Sequence, residues 1–421
     1  MMRTSRDAKI AFFDKLHRFI RLYKATGWSI YQLDVVLASF GATDIGIDEL
    51  ILTYKTGKLA NKYTIQPEIM IILWSDISTT RYINFDSAKQ DELPSVYDRF
   101  FRNRSMVNPP DPNFDDPASI TGTLEVNRAT ILAAYNISES DLYMASDHDL
   151  DIATNIENLS GIYRKVLAYQ CSKRTSYAIF KDQLDTLGLE LPVGTVPEVA
   201  EGWEHLFMSL DAADYTPFSW PELKYLFRHQ DTDNQFIDSD SLIQSFYEAL
   251  RLELNKALNN FDLDLDPVEH PEVIDVKARL SKLTVQQYAA YFELDFSVLH
   301  YLLTEVIQIG TTPGFAIDIL ITNDFINSVL PITRDQAIGN LDFEDLYHTY
   351  FTIDKLALLS EDLIISPDLI IFMQEHHAAL TTLDILDLPV LPVAEGDPDL
   401  IRAFFSLQRL DRAQRPVRME R

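Results

Sequence analysis

The chain has 421 residues, 47% of them apolar, and its 64 acidic against 36 basic side chains leave a formal charge of −28. Such a length exceeds what one hydrophobic core fills, so two or three modules or an elongated array are expected. The acidity argues against a nucleic-acid binder, which needs a basic footprint, and against anionic membrane surfaces, while a single cysteine, Cys171, excludes an internal disulfide framework and a cysteine-rich zinc site.

The N-terminal stretch MMRTSRDAKIAFFDKLHRFI carries charges where a signal peptide needs an uninterrupted apolar segment. The most apolar runs, Gly314–Ile321 and Leu356–Leu359, are short or broken by Asp318 and Glu361, so no direct membrane insertion is expected and the chain reads as soluble. Ile10, Phe13, Leu16, Ile20 and Tyr23 stand at helical spacing and predict an amphipathic first helix. Gly27 suits its C-terminus. Ser29 with Gln32 three residues on reads as a capping box opening a second helix through Ile30, Leu33, Leu37 and Phe40, which makes a helical hairpin.

The stretch Ile72–Phe114 breaks this rhythm. Pro94, Pro109, Pro110 and Pro112, with Pro117 just beyond, forbid one continuous helix. Yet Trp74, Tyr82, Phe85, Tyr97, Phe100, Phe101 and Phe114 are too many large apolar groups for a solvated loop. From Ser95 the pattern predicts a short capped helix with Val96, Phe100 and Phe101 on adjacent faces. The region at about 75–123 is therefore expected to be an ordered, proline-broken clasp between helical layers. Its structural residues are Trp74, Tyr97, Phe100, Phe101, Pro109 and Pro112, with Trp74, Tyr97 and Phe101 buried and no catalytic group among them.

The pattern of helix, apolar turn, cap and helix then returns. Tyr135-Asn136-Ile137-Ser138 leads to Asp141 and Leu142, and Phe218-Ser219-Trp220-Pro221 to Glu222, Leu223, Leu226 and Phe227. Phe292-Glu293-Leu294-Asp295 leads to Leu299, Leu302 and Leu303, and Ile364-Ile365-Ser366-Pro367 to Leu369 and Phe372, with proline in the tolerated first turn. The uneven spacing excludes a strict short-period solenoid. Strand signals at Thr195-Val196 and Pro389–Val393 are too short for a sheet. The fold class expected is all-α, an irregular stack of helical hairpins forming an elongated array. Pro- and Gly-containing joints at Asn103–Thr123, Gly188–Glu198, Asn259–Glu272, Gly310–Gly314 and Leu388–Pro398 suggest modules at 1–115, 116–265 and 266–421, or one continuous helical domain.

Candidate chemistry is thin. Asp147, Asp149 and Asp151 share a D-x-D-x-D spacing with Asp262, Asp264 and Asp266, and Asp231-Thr232-Asp233-Asn234-Gln235 is a third acidic loop. A calcium loop also needs glycine at the sixth and glutamate at the twelfth position, and all three loops fail at both, so they read as solvated turns. His376 and His377 are adjacent rather than one turn apart, which does not suit a helical metal pair. His348 and the Tyr-rich segment around it, LYHTYF, read as core and interface aromatics, and Cys171 as a small buried hydrophobe. No nucleophile elbow, phosphate loop or dinucleotide glycine pattern occurs. No catalytic, cofactor or metal site is expected, and the chain reads as a non-enzyme. Arg409, Arg412, Arg415, Arg418 and Arg421 form a basic strip at the C-terminus, interrupted by Pro416, that reads as a frayed helix end or a segment cut from a longer protein rather than a binding arm.

Several of these segments resemble, in order and spacing, the A components of bacterial Tc toxin complexes, the virulence-plasmid A-type proteins. They begin with LHRFIRLYKATGWSIYQLDVVLASFG and continue with Leu73–Thr79, Ser95–Phe101 and Val107–Pro112. Arg128–Leu132 with Ser138–Leu142, Glu157–Arg164, Glu222–His229, Asp387–Val390 and Phe404–Arg412 follow, so the resemblance covers nearly the whole chain. It implies a non-catalytic piece of the helical shell of a secreted or cell-surface, pore-forming toxin subunit. That subunit assembles as a homopentamer, meets a host cell-surface receptor, and delivers a toxic enzyme carried by B- and C-type partner components. Receptor-binding modules, channel helices and the injection linker have no counterpart in this chain, which is expected to be a fragment or a truncated protein. The alternative reading is a free-standing helical interaction scaffold in a secretion or assembly apparatus. An enzyme with an unrecognised carboxylate site ranks behind both.

Overall fold

A computed structural model describes residues 2–41, 43–83, 92–363, 366–380 and 383–414, with backbone only at 2–8, 380 and 410–414. Phe85, Ile364, Ile365, Arg415, Arg418 and Arg421 lie outside the described residues, as does the side chain of Arg412. The fold is all-α: among the described residues there are nineteen α-helices, and the strands form two short two-stranded hairpins. These pair Tyr82–Ile83 with Glu92–Leu93 and Gln308–Ile309 with Gly314–Phe315. The second hairpin stands where the sequence suggested only a joint. Gly310 has φ +92, and a side chain there would meet Asn340 Nδ2 at 2.6 Å, so the turn needs glycine.

The repeated cap grammar has a common geometry. A residue in the left-handed region ends one helix, as at Gly27, Asn136 and Glu293, and an extended cap residue opens the next. Ser29, Ser138 and Ser219 all form capping boxes, with Gln32, Asp141 and Glu222 as the reciprocal partners. Asp295 caps through the Ser297 amide, and Ser366 Oγ accepts the Leu369 amide at 3.3 Å.

The chain divides into two compact units. The first comprises Met1–Leu184 and Glu190–Asp211, the second Asp185–Leu189 and Ala212–Arg421. The boundaries read from sequence at 115/116 and 265/266 fall inside these units, and hydrogen bonds show why. Asn113 and Asp111 are tied to Asn127 and Thr130 across the first position, while Leu263 and Asp264 are held by Asn323 across the second.

In the first unit, helices Arg128–Tyr135 and Ile156–Cys171 supply Ile131, Tyr135, Leu159, Tyr163 and Val166 to the core. In the first helix, Met2–Thr26, the apolar stripe of Ile10, Phe13, Leu16 and Ile20 remains 40–63% exposed. The second unit is built around helix Phe343–Asp362, which buries residues on every face, including Leu346, Tyr350, Phe351, Ile353 and Leu359. Phe246, Tyr247, Tyr288, Phe292 and Tyr350 form an aromatic cluster there, with Tyr288 Oη donating to Tyr247 Oη at 3.0 Å and Tyr247 to the Leu346 carbonyl at 2.8 Å. Among the described residues no helix is long and apolar enough to cross a membrane.

Candidate functional site

The clasp forms by capping and aromatic burial. Ser95 caps helix Val96–Phe101 through the Asp98 amide, and Asp98 accepts in return from the Ser95 amide at 3.1 Å. Arg81 grips both Asp98 oxygens at 2.7 and 2.9 Å, and Arg102 adds a third donor at 3.1 Å. Burial alone would raise the Asp98 carboxyl, but donation from Arg81 and Ser95 outweighs it and lowers it to about 2.

Phe100 and Phe101 then insert among Phe114, Tyr135 and Tyr163. Phe101 stacks on Phe114 with centroids 4.9 Å apart, and Phe100 meets Tyr163 at 4.5 Å. Tyr97 is fully buried and donates to the Phe114 carbonyl at 3.0 Å, while Tyr135 donates to the Leu159 carbonyl at 2.9 Å. Trp74, Tyr97 and Phe101 are thus all buried, as their sequence context required.

The clasp backbone is fixed as firmly. Arg164 donates to the carbonyls of Ile72 and Ser75, Ser160 Oγ accepts the Ile77 amide at 2.9 Å, and Trp203 Nε1 donates to Leu73 at 2.8 Å. Pro109 and Pro112 are exposed and act only on the backbone, Pro109 through a cis bond after Asn108 and Pro112 in the first turn of Pro112–Phe114. The described residues of the clasp form a packed junction of hydrogen bonds and aromatic contacts.

The three acidic loops serve their own turns. Asp231 accepts amides of Asp233, Phe236 and Ile237, Asp149 that of Asp151, and Asp262 that of Asp264. Asn323 and Lys165 supply further donors to Asp262, Asp264 and Asp147. Among the described residues no group of three His, Cys, Asp or Glu side chains is placed to hold a metal ion. Cys171 is a core residue whose thiol burial pushes up to about 12. His377 pairs with Asp384 at 3.2 Å, and His376 packs on Phe372.

The second unit holds a feature that the sequence reading missed. An open cleft of about 600 Å³ is walled by Tyr225, Phe236, Tyr291, Phe292 and Tyr350 and edged by Asp238, Glu293, Asp354 and Glu361. Tyr350 Oη donates to Asp238 Oδ2 at 2.5 Å, Tyr225 Oη donates to Asp354 Oδ2, and Tyr291 and Tyr350 share a hydrogen bond of 2.9 Å. Burial raises the Asp354 carboxyl to about 6, the Tyr225 hydrogen bond opposes this, and nearby Asp238 adds to it. Both tyrosine hydroxyls are raised well above their ordinary range by burial and the adjoining carboxylates, so they stay protonated as donors.

Next along the helix, the Lys355 ammonium lies 4.8 Å from the centre of the Tyr225 ring, one wall of this cleft. It donates to the backbone carbonyls of Leu226 and Pro389, and burial lowers it to about 6. His229, wholly buried, shares a hydrogen bond with Tyr347 and is lowered to about 3 by burial, with Lys355 and His348 adding to the effect.

No family model matches this chain, and no curated protein matches it. The cleft residues come from four separate segments, and on helix Phe343–Asp362 Tyr350, Asp354 and Leu358 follow one another at four-residue spacing along one face. That spacing, which starts inside LYHTYFTID, is a local signal, whereas the other three segments lie far away in sequence.

Proposed function

We propose that this chain is a non-enzymatic helical shell segment of a Tc-type toxin A component, contributing to oligomer assembly and to target-cell attachment for delivery of a toxic partner. The observation that carries the reading is where the family-like segments go. Leu73–Thr79, Ser95–Phe101, Val107–Pro112, Arg128–Leu132 and Glu157–Arg164 are dispersed in sequence. Yet Trp74, Phe101, Val107, Ile131 and Ile162 are all buried in the first unit, and Arg164 bonds directly to the backbone of Ile72 and Ser75. Segments that resemble one family in order therefore also build one core, which favours a shared scaffold over five chance likenesses.

The exposed apolar face of helix Met2–Thr26 supports a role in assembly, since Ile10, Phe13, Leu16 and Ile20 form a stripe that a soluble monomer does not need. Native mass spectrometry of the purified chain tests this. Self-association is expected, with Phe13→Glu and Leu16→Glu shifting the population toward monomer. A chain that stays monomeric at every concentration overturns the assembly role.

A further inference from the structure

Resting on the assembly role above, we propose that the N-terminal part of helix Met2–Thr26 is a basic arm that seats, head to tail, on the acidic surface of a second copy of this chain. The arm stands clear of the first unit. Every residue from Lys9 to His17 is exposed, which takes in all faces of about two and a half turns. The helix is tied down by Lys15, which donates to the Thr43 carbonyl, and by Arg18, which donates to the Ile45 carbonyl at 2.8 Å and pairs with Asp44 at 3.2 Å. Phe12, Phe13, Leu16 and Ile20 fall within an arc of about 100° on one side, and all are 40–63% exposed.

Charge indicates what covers that side. The chain carries −28 in all, but this helix has seven lysines and arginines against two aspartates, a net +5, so the remainder carries −33. A surface of that sign, folded into every copy, is complementary to the arm.

Lys9 separates this occupant from its rivals. It stands inside the apolar arc, four residues before Phe13 and seven before Leu16. Two arms packed face to face would cover both lysines with the partner's apolar rings, and an isologous contact would set like charges side by side. A lipid surface would press the same ammonium against hydrocarbon. A protein surface rich in carboxylates can cover the rings and supply Lys9 with an opposite charge. The contact is therefore heterologous, with the arm of one copy on the body of the next.

Mixing a heavy-isotope wild-type chain with unlabelled Phe13→Glu, read by native mass spectrometry, tests the polarity. A spoiled arm leaves the variant's seat intact, so a mixed pair is expected; arm-to-arm pairing gives none. In sedimentation at low salt, Lys9→Glu should weaken self-association at least about tenfold and Lys9→Leu by a few-fold, and salt of about 0.5 M should weaken the wild type. These positions are exposed, and circular dichroism confirms that each variant is folded. Flotation with phosphatidylserine vesicles tests the lipid alternative. Self-association without a mixed species, tighter association of Lys9→Leu than of wild type, or arm-dependent flotation of a chain that stays monomeric would overturn the proposal. A wild type that is monomeric and does not float removes the assembly role as well, whereas self-association without a mixed pair removes only the head-to-tail seat.

Discussion

Truncating Phe101 tests whether the clasp is a core element of the first unit. Its ring is 1% exposed and lies between Phe114 at 4.9 Å, Tyr97 at 5.0 Å and Tyr135 at 5.4 Å. Replacement by alanine removes the apolar burial and leaves a cavity that this ring of aromatics cannot close. For a buried phenylalanine the combined cost is about 4 kcal/mol. Phe101→Leu keeps most of the volume and loses mainly the stacking geometry, so a cost of roughly 1 kcal/mol is expected. Urea unfolding followed by circular dichroism reads both, and where the two compact units unfold separately the loss should fall on one transition. A Phe101→Ala cost below about 1 kcal/mol would refute the reasoning, because a ring this enclosed cannot be so cheap to remove unless the clasp detaches readily.

Three further outcomes are expected. Asp98→Asn removes the charge that Arg81 and Arg102 share and should lower stability by about 2 kcal/mol in the same urea assay, with raised salt shrinking the difference. Cys171 should resist alkylation near neutral pH until the chain is unfolded, since burial keeps it as the thiol; rapid labelling of folded protein would contradict this. Acid should weaken the second unit through His229, whose ordinary value of 6.5 is lowered to about 3, so that the unfolded chain takes up the proton first. Between about pH 7 and about pH 5 this loss amounts to roughly 2 kcal/mol. Lys355, lowered to about 6, acts in the same direction, while Asp354, raised to about 6, offsets part of it by binding its proton more tightly when folded. His229→Asn keeps a residue tolerant of the left-handed backbone at φ 47 and should flatten this acid slope; an unchanged slope would remove His229 as its source.

The helical class was legible because its signals are local. Ser29 with Gln32, Ser138 with Asp141 and Ser219 with Glu222 announce helix starts within four residues, and the structure has a capping box at each. Burial of Trp74, Tyr97 and Phe101 followed from aromatic density alone. The unit boundaries were not legible. Proline- and acid-rich stretches look like linkers, but Asn113, Asn127 and Thr130 stitch one of them into a core, and Asn323 stitches another. Side-chain amides bonding to distant loops leave no periodic trace. The exposure of Ile10, Phe13, Leu16 and Ile20 was equally hidden, since an amphipathic pattern specifies an apolar stripe without specifying what covers it.

The cleft shows how little composition says about the surroundings of a carboxylate. In a chain of charge −28, acidic pairs are common enough that no single pair is informative. What distinguishes Asp238 and Asp354 is their surroundings. Asp98 is buried with two arginines and Asp231 is consumed by backbone amides, so both are satisfied by the fold itself. Asp238 and Asp354 instead each receive one neutral tyrosine hydroxyl at the edge of an aromatic cleft, which orients the carboxylate without neutralising it. A buried carboxylate needs an opposite charge or donors within reach. For Asp354 the Tyr225 hydroxyl supplies a donor, and the Lys355 ammonium, 4.8 Å from the centre of the same Tyr225 ring, supplies the charge.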